Sequence, residues 1–382
     1  MVRGPSPLED LVTMIFDNFY AGKRVLVTGH TGFKGGWLSL WLWHLGAQVH
    51  GVGLKAPTEP SLHEIISPEV FATETECDLR DVDALQTAIG RNRPDIIFHL
   101  AAQALVRRSY REPLETFDIN ARGTAHLLEA VRRLECPTTV LVVTTDKCYE
   151  NRGWDYGYRE TDPLGGHDVY SMSKAAAELV THSWRESFFR PNPKLGQVAS
   201  ARAGNVIGGG DYAEDRLVPD AVRALLSRQP ISVRNPSAIR PWQHVLDCLS
   251  GYLLLGARLA QAGKDSPLAG AFNFGPGFQC RQSVQAVVQE ILRHWPGQWN
   301  HAATADAPHE ATLLNLAIDK AAAQLQWSPT WGFPQAIGKT ALWYHQRHVV
   351  GNPAMRDYSL RQITDFVNDA RSQAAAWAGD TP

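Results

Sequence analysis

The sequence is poor in cysteine, in net charge and in long apolar segments, and each shortage excludes a class of protein. Its five cysteines are scattered without a CxxC pair, at Cys77, Cys136, Cys148, Cys248 and Cys280. An odd and unpaired set argues against a disulfide framework and against a zinc site, and it is typical of a reducing compartment. We therefore expect free thiols and no bound metal.

Charge and hydropathy exclude further kinds of partner. The formal net charge of -2 gives no overall attraction to nucleic acid or to an anionic membrane, so any anionic ligand must be held by local positive groups. No apolar run reaches the roughly 18 residues that a membrane-spanning helix needs. The N-terminus carries Glu9, Asp10 and Asp17 around a short apolar patch, unlike a signal peptide. We expect a cytoplasmic protein that binds neither nucleic acid nor membrane.

The chain does contain a repeated alternation of strand and helix patterns. Five apolar runs have the length and composition of buried parallel strands, at 23–29, 47–52, 95–100, 139–144 and 198–202. Helical segments lie between them, including 37–45, which Gly46 is suited to end, and 120–134. The alternation predicts an α/β protein with a Rossmann-type doubly wound parallel sheet.

The regular alternation ends near Asn205, where Gly208-Gly209-Gly210-Asp211 signals a loop. We therefore predict a dinucleotide-binding Rossmann domain over 19–204, joined by about 241–262. A smaller α/β substrate-binding domain is predicted over most of 205–350. Residues 1–18 are expected to form a disordered or weakly helical extension, and residues 351–382 a C-terminal tail.

A glycine-rich turn lies between the first strand and the first helix. Residues 29–35 read Gly-His-Thr-Gly-Phe-Lys-Gly, a GxxGxxG spacing. Glycines there allow a tight turn, close approach of the backbone to a pyrophosphate, and close packing of helix on strand. The helix N-terminus adds free N–H groups and the positive end of a dipole. In this context the pattern predicts a dinucleotide site, with a purely structural turn as the alternative.

The residues leave the identity of the dinucleotide open. An acid that binds the adenosine ribose normally follows about 20 residues after the glycine loop, but the second strand ends in Gly53-Leu54-Lys55. Lys55 either favours a 2′-phosphate or lies on the surface, so NAD and NADP both fit. Asp78, after a third strand, is a candidate to accept a hydrogen bond from the adenine amine. Its alternative role is an N-cap for the helix that follows.

Tyr170 and Lys174 are four residues apart at the start of a predicted helix, so they share one face, one turn apart. A tyrosine with a pKa near 10 is a poor base at neutral pH, and lowering that pKa by about 3 units needs roughly 4 kcal/mol. The ammonium of Lys174 and the charge of a nicotinamide ring are expected to supply it. The spacing predicts a catalytic base, with a surface Tyr–Lys pair as the alternative.

A polar triplet, Thr145-Asp146-Lys147, follows the predicted strand at 139–144, and ligands gather at the carboxyl ends of parallel strands. Thr145 can hydrogen-bond a substrate hydroxyl. Asp146 can serve as a general acid, and Lys147 can serve as a general base or as an electrostatic anchor. A loop with a surface Asp–Lys pair is the alternative.

These motifs give the chain a family resemblance from about residue 16 to residue 348. The chain resembles the extended short-chain dehydrogenase/reductases through the glycine loop, the segment 99–103 and the Tyr170/Lys174 pair. Within them it looks like the CDP-D-glucose 4,6-dehydratases, through four further segments at 145–149, 164–166, 203–211 and 240–245. Related dTDP-glucose and GDP-mannose enzymes carry glutamate where this chain has Lys147.

The resemblance implies a lyase that converts CDP-glucose into CDP-4-keto-6-deoxyglucose and water, by internal hydride transfer through NAD+. Tyr170 would take the C4 hydroxyl proton, Lys147 would assist removal of the C5 proton, and Asp146 would protonate the departing C6 hydroxyl. Besides Tyr170 and Lys174, the implied cofactor contacts are Gly29, Thr31, Gly32, Phe33, Lys34, Gly35, Asp78, Leu79, Ala101, Ala102 and Gln103.

The diphosphate of such a substrate needs cations. Arg234 and Arg240 can offer forked donors to phosphate oxygens. The resemblance places Asn205 and Arg216 in loops that face the same cleft, although Arg216 is equally compatible with a solvated surface arginine.

The resemblance also implies an assembly and a setting. It implies a homodimer formed through the helices around 117–133 and 173–188, and a supply of deoxysugars for bacterial surface polysaccharides such as the O-antigen of lipopolysaccharide. Two other functions are weighed: a sugar-nucleotide 4-epimerase on the same fold and a non-enzymatic cofactor-binding protein. The triplet 145–147 argues against the first, and the retained Tyr170 and Lys174 argue against the second.

Overall fold

The computed structural model describes residues 15–67, 69–302 and 314–379. In chain order, the strands are β1 Arg24–Thr28, β2 Gln48–Gly53, β3 Phe71–Glu76, β4 Ile96–His99, β5 Thr139–Val143, β6 Val198–Ala203, β7 Val206–Ile207, β8 Ile231–Val233, β9 Ile239–Pro241, β10 Gln243–His244, β11 Ala271–Phe274, β12 Arg281–Ser283 and β13 Trp299–His301. The helices are α1 Phe33–His44, α2 Leu62–Ile66, α3 Val82–Asn92, α4 Val106–Arg111, α5 Pro113–Phe117, α6 Gly123–Arg133, α7 Val169–Trp184, α8 Leu217–Leu226, α9 Val245–Gln261, α10 Val284–His294, α11 Asp319–Leu325, α12 Phe333–His345 and α13 Met355–Ser372.

Seven strands form one sheet, in the order β11-β6-β5-β4-β1-β2-β3. Every neighbouring pair in this sheet is parallel. The chain moves outward from β1 in both directions, so the strand order reverses between β1 and β4. Ligands bind in the crevice at such a switch point, outside the carboxyl ends of the strands. The predicted doubly wound parallel sheet is confirmed.

Side chains of the sheet alternate between two separate hydrophobic cores. Val25 and Val27 of β1 belong to a tryptophan-rich core with α1 and α9, whereas Leu26 belongs to a core with α3 and α6. This alternation follows from the two-residue period of a strand. Because helices cover both faces, the strands are continuous apolar runs, which is why the sequence pattern revealed them.

The chain returns to the sheet after leaving it near residue 204. Helix α9 lies in the stretch that the sequence analysis joined to the Rossmann domain, and it packs against β5 and β6. Ala271–Phe274 then pairs with β6 as the edge strand β11, although the prediction assigned these residues to the smaller domain. This run of four residues is too short for its periodicity to distinguish a strand from a loop. The remaining strands form three two-stranded sheets, β7 with β10, β8 with β13 and β9 with β12.

The two ends of the described chain pack together. Ile15 and Phe16 are buried, and the ring of Phe16 stacks on that of Trp377 with centroids 5.1 Å apart. The predicted extension was disordered or weakly helical, and its last four residues form a short, packed 3-10 turn at Ile15–Asn18. Residues 1–14 lie outside the described residues. Among the described residues, no helix combines the length and the hydropathy that a membrane crossing requires.

Candidate active site

The glycine loop connects β1 to α1 through positions where a side chain has no room. Gly29 has a φ of +73°, and a Cβ there would lie 2.7 Å from the backbone nitrogen of Ala101. A Cβ on Gly35 would lie 2.1 Å from the carbonyl oxygen of Gly29. Gly32 precedes the first turn of α1 and brings no side chain to cap its N–H groups. The predicted strand–turn–helix is confirmed, with an open helix N-terminus at the crevice.

Other residues of the loop tie it to its surroundings. The Thr31 hydroxyl donates to the carbonyl of Leu54, 2.9 Å away, just beyond β2. The ring of Phe33 packs against Gly208. Burial lowers the pKa of Lys34, whose charged neighbours include Arg216, Asp146 and Lys147. The loop therefore meets the triplet that follows β5.

The segment after β4 borders the loop. The backbone nitrogen of Ala101 donates to the hydroxyl of Thr28 over 3.2 Å. Two residues further, the backbone of Gln103 exchanges hydrogen bonds of 2.9 and 3.0 Å with the side-chain amide of Asn120. That amide also donates to the hydroxyl of Ser173 over 2.9 Å, so it joins this segment to the helix of Tyr170. Asn120 was not predicted, because its only signal in the sequence is one amide in a helical segment.

Asp78 and Leu79 follow β3. Asp78 accepts from the backbone nitrogen of Arg80 at 2.8 Å and from its guanidinium, and these bonds lower the pKa of the carboxyl. The cap of α3 is Asp81, which accepts from Ala84 at 3.0 Å. The N-cap alternative for Asp78 is therefore wrong. Leu79 is buried against Gly123 at the start of α6.

Tyr170 and Lys174 lie in the first two turns of α7 and are both buried. Asp168 caps this helix by accepting from the backbone nitrogen of Ser171 at 2.9 Å. The Lys174 ammonium points to the carbonyl of Val143, 3.4 Å away, at the end of β5. Burial and the charge of Lys34 lower the pKa of Lys174 to about 8. The pair therefore faces the crevice beside the glycine loop, and the surface-pair alternative is wrong.

The charges around Tyr170 differ from those that the sequence predicted. Burial raises the pKa of its hydroxyl, and the strongest opposing effects are the charge of Lys147 and a hydrogen bond with Thr145. We expected Lys174 to be the main cation, but the cations that lower the pKa of Tyr170 are Lys147 and Arg216. The reason is geometric, because the Lys174 side chain is directed toward the end of β5.

The triplet after β5 forms a compact group around Asp146, which is 1% exposed. Its Oδ1 accepts from the hydroxyl of Thr145 at 3.0 Å and from the ammonium of Lys147 at 3.1 Å. Its Oδ2 is buried and has no partner among the described residues. Gly204 makes room for that oxygen, since a Cβ there would lie 2.6 Å from it. The alternative of a surface Asp–Lys pair is therefore wrong.

A buried ion pair between β6 and α7 lies next to the triplet. Arg202 of β6 donates to Glu178 of α7 over 2.8 Å. Glu178 also accepts from the hydroxyls of Ser200, at 2.7 Å, and Thr144, at 2.5 Å. The guanidinium of Arg202 donates to the hydroxyl of Tyr149 over 2.7 Å. Glu178 and Arg202 thus hold the residues on either side of 145–147, and neither was predicted from the sequence.

The predicted substrate residues lie in the loops beyond β6. Arg216 donates to Asp211 over 2.7 Å, and its charge also acts on the pKa of Tyr170, so it faces the site rather than only the solvent. The positive charge of Arg240 lowers the pKa of Lys147. Arg234 lies 4.0 Å from Asp215. The structure brings Arg216 and Arg240 to the triplet.

The fourth predicted substrate residue, Asn205, lies between β6 and β7. Its carbonyl accepts from the backbone nitrogen of Gln243 at 3.1 Å. Asn205 therefore follows the carboxyl end of β6, next to Gly204, which touches Asp146.

Comparisons with known proteins identify the family of this chain. The family model described as GDP-mannose 4,6 dehydratase matches residues 26–340. The CDP-glucose 4,6-dehydratase of Salmonella typhimurium is 46% identical over 365 residues, which cover 93% of this chain and 99% of the relative. A dTDP-glucose 4,6-dehydratase of Xanthomonas campestris is 28% identical, covering 84% of this chain and 92% of that protein.

Solved structures share the fold. The epimerase Mth375 of Methanothermobacter thermautotrophicus superposes with a TM-score of 0.75 at 23% identity, covering 90% of this chain and 98% of that one. DesIV, the dTDP-glucose 4,6-dehydratase of Streptomyces venezuelae, gives a TM-score of 0.73 at 22% identity, covering 86% and 98%. At these identities the likeness shows the fold alone. From the family model and the near full-length relative, the chain belongs to the GDP-mannose 4,6-dehydratase-like family, alongside the CDP-glucose 4,6-dehydratases.

Proposed function

We propose that this protein is an NAD-dependent CDP-glucose 4,6-dehydratase, which converts CDP-glucose into CDP-4-keto-6-deoxyglucose and water. The observation that carries the proposal is the single cluster of Tyr170, Asp146 and Lys147 beside the glycine loop. The near full-length relative with 46% identity is named for this activity.

The residues present fit a dinucleotide. Gly29 and Gly35 keep side chains out of the loop, and α1 directs its first N–H groups into the crevice. We propose NAD rather than NADP, because solved structures of this fold, such as a dTDP-glucose 4,6-dehydratase of Bacillus anthracis, are described in complex with NAD. When held by the glycine loop and α1, the cofactor would supply a hydride acceptor for C4 and then a hydride donor for C6.

Tyr170 performs the first proton transfer by taking the proton of the C4 hydroxyl as the C4 hydride leaves. This step needs the phenolate, which burial disfavours by raising the pKa of Tyr170. Lys147, the hydrogen bond with Thr145, and Arg216 act in the opposite direction. These three residues therefore make Tyr170 more acidic than a buried tyrosine without partners.

Lys147 and Asp146 perform the loss of water. Burial lowers the pKa of Lys147, but Asp146 and Tyr170 outweigh it, so the pKa is raised and the side chain stays an ammonium at neutral pH. Transfer of one proton across the 3.1 Å contact, from the Lys147 ammonium to Asp146, leaves a neutral amine that takes the C5 proton. Asp146 gives its new proton to the departing C6 hydroxyl, which leaves as water, so the Lys147–Asp146 ion pair is restored. The regained ammonium of Lys147 stabilises negative charge on the C4 oxygen.

The proposal is tested by incubating purified protein with CDP-, dTDP-, GDP- and UDP-glucose. We expect a 4-keto product from CDP-glucose, detected by the near-ultraviolet absorbance that such sugars develop in alkali. Formation of CDP-galactose alone would show an epimerase instead. A keto product from another nucleotide, with none from CDP-glucose, would retain the reaction and overturn the assigned base.

We also propose a homodimer through the helices that include 117–133 and 173–188. Large apolar side chains are exposed there and on the adjoining α4 and α5: Tyr110, Leu114, Phe117, Met172, Leu179 and Phe188. The most exposed are Leu114 at 81% and Leu179 at 59%. Leu179→Glu should therefore give a monomer by light scattering, whereas Leu226→Glu, on the exposed face of α8, should not. A dimer in both variants would contradict this interface.

We also propose that the protein acts in the cytoplasm, in the synthesis of deoxysugars. All five cysteines are free, as expected, which fits a reducing cytoplasm. A 4-keto-6-deoxysugar nucleotide is a precursor for further deoxysugar chemistry, and we propose surface polysaccharides such as O-antigen as its destination.

A further inference from the structure

Three side chains that the proposed reaction does not use converge beside the glycine loop. They are His30 of the loop, His63 of α2 and Glu74 of β3. Nε2 of His30 lies 3.0 Å from Oε1 of Glu74, and Nε2 of His63 contacts the same oxygen. One potential ligand atom from each residue lies within 4.8 Å of the other two. The group lies on the β2–β3 side of β1, whereas Lys147 follows β5 on the other side.

The surrounding chain makes space for these rings and holds them in place. A Cβ on Gly51 of β2 would lie 2.4 Å from Cδ2 of His30, so the absence of a side chain there admits the imidazole. The ring of Phe71 lies 5.1 Å from that of His30 and 5.6 Å from that of His63, between centroids. The hydroxyl of Ser67 donates to Oε2 of Glu74 over 3.3 Å and so orients the carboxylate.

We propose that His30, His63 and Glu74 form a binding site for a zinc-like divalent cation. Two imidazole nitrogens and one carboxylate oxygen are a common protein donor set for zinc, with water as the fourth ligand of a tetrahedron. At metal–ligand distances of about 2.0–2.2 Å, tetrahedral donors lie roughly 3.5 Å apart. The three donor atoms here lie within 4.8 Å of one another, so a shift of about 1 Å in the side chains brings them to that spacing. Magnesium and calcium prefer all-oxygen sites and are disfavoured here.

The site is open to solvent on one side and closed on the other. The side chain of His30 is 4% exposed and forms the floor, while those of His63 and Glu74 are 21% and 33% exposed. Solvent can therefore deliver the cation and supply the remaining ligand. The sequence-based expectation of no metal rested on the scattered cysteines, and it did not consider histidines that become neighbours only through folding.

A bound cation would join three elements that are otherwise linked here by hydrogen bonds. These are the loop after β1, the short helix α2 and the strand β3. A ligand that binds only the folded state stabilises that state in proportion to its occupancy. Zinc should therefore raise the thermal midpoint of the protein, whether or not substrate is present.

The test uses the full chain, stripped with a chelator and titrated with zinc chloride against a chromophoric competitor. We expect one zinc ion per chain, and a loss of affinity of roughly tenfold or more in both His63→Ala and Glu74→Gln. His301→Ala, which removes an exposed imidazole on β13, is the matched control and should bind zinc as the unaltered chain does. Zinc bound equally well by all variants, or not bound by the unaltered chain, would overturn the site.

X-ray absorption of the zinc-loaded unaltered chain tests the ligands without any substitution. We expect a nitrogen and oxygen shell with the multiple-scattering signature of two imidazoles. Sulfur in that shell would place the metal at a cysteine and overturn the proposal, even if a variant failed to fold. Both measurements read metal binding rather than turnover, so they are independent of the proposed dehydratase activity.

Discussion

The two sides of the switch point in the central sheet depend on different kinds of residue. On the β1 side, the cofactor loop depends on Gly29 and Gly35, where an added Cβ would strike backbone atoms. On the β5 and β6 side, the site depends on buried charges, foremost Asp146 and the Glu178–Arg202 pair. The glycine side should therefore fail when atoms are added, and the charged side should fail when a partner is removed.

The largest effect is expected on the charged side, from Tyr170→Phe. This change removes the oxygen that we propose as the acceptor of the C4 hydroxyl proton, and we expect turnover to fall by about 10⁴-fold, the upper range for one acid–base group. Circular dichroism should show an intact fold. Tyr156→Phe, at an exposed position, is the control. Near-normal turnover of Tyr170→Phe would remove this residue from the mechanism.

Glu178→Gln tests whether the buried pair stabilises the charged side. It leaves Arg202 buried without its carboxylate, and loss of one partner of such a pair costs about 3–5 kcal/mol in the free energy of unfolding. Urea unfolding measures this cost. Glu129→Gln breaks pairs with Arg132 and Arg133 that are partly solvated, and should cost less than about 1 kcal/mol. Equal costs in the two variants would contradict the comparison.

The same pair predicts a pH dependence of stability. Burial raises the pKa of Glu178, but Arg202 and the hydrogen bonds outweigh burial and lower it below its ordinary value. A lowered pKa stabilises the fold above the unfolded-state pKa, and the contribution is lost as pH falls toward the folded-state pKa. The free energy of unfolding of Glu178→Gln should therefore fall less steeply on acidification than that of the unaltered chain.

Lys147→Met should slow formation of the keto sugar by about 10²-fold, with much less effect on cofactor affinity. Lys147 is the strongest cation acting on Tyr170, so its loss raises the pKa of that hydroxyl. The rise of rate with pH should therefore move to higher pH. Lys194→Met, at an exposed position between α7 and β6, serves as the control. An unchanged rate and pH profile would exclude Lys147 from the chemistry.

The smallest effect is expected on the glycine side. Gly35→Ala forces a backbone shift, because the new Cβ would lie 2.1 Å from the Gly29 carbonyl oxygen. Overpacking of this kind costs about 1–3 kcal/mol, and cofactor affinity should fall while the pH profile of the bound enzyme stays unchanged. At Gly263 no atom lies within 4 Å of an added Cβ, so Gly263→Ala should be close to neutral. A changed pH profile in Gly35→Ala would contradict the separation between steric effects on the glycine side and charge effects on the other side.

The glycine side was predicted from sequence because its signals are local. A strand, GxxGxxG and a helix follow one another within the span of β1 and α1, and each glycine answers a backbone requirement of its own turn. Tyr170 and Lys174 were found for the same reason, since four residues on a helix fix their relation. The edge strand β11 was missed because four residues carry too little periodicity.

The charged side was predicted only as separate pieces. The triplet 145–147 was recognised after its strand, but its main electrostatic partner, Tyr170, comes from a different element. Asn120, Glu178 and Arg202 gave no pattern, because each acts through a contact with a residue far along the chain. The substitution of Lys147 for Lys174 as the chief cation near Tyr170 depends on where two flexible side chains point, which spacing does not specify.

The sequence by itself determined most strands of the sheet, the glycine turn and the shared helix face of Tyr170 and Lys174, because periodicity and turn requirements act over a few neighbouring positions. Only the tertiary structure decided which charges meet, since Coulomb interactions depend on distance in space and on burial, not on separation along the chain. That is why the cation beside Tyr170, the Glu178–Arg202 pair and the His30, His63 and Glu74 group became visible only after folding.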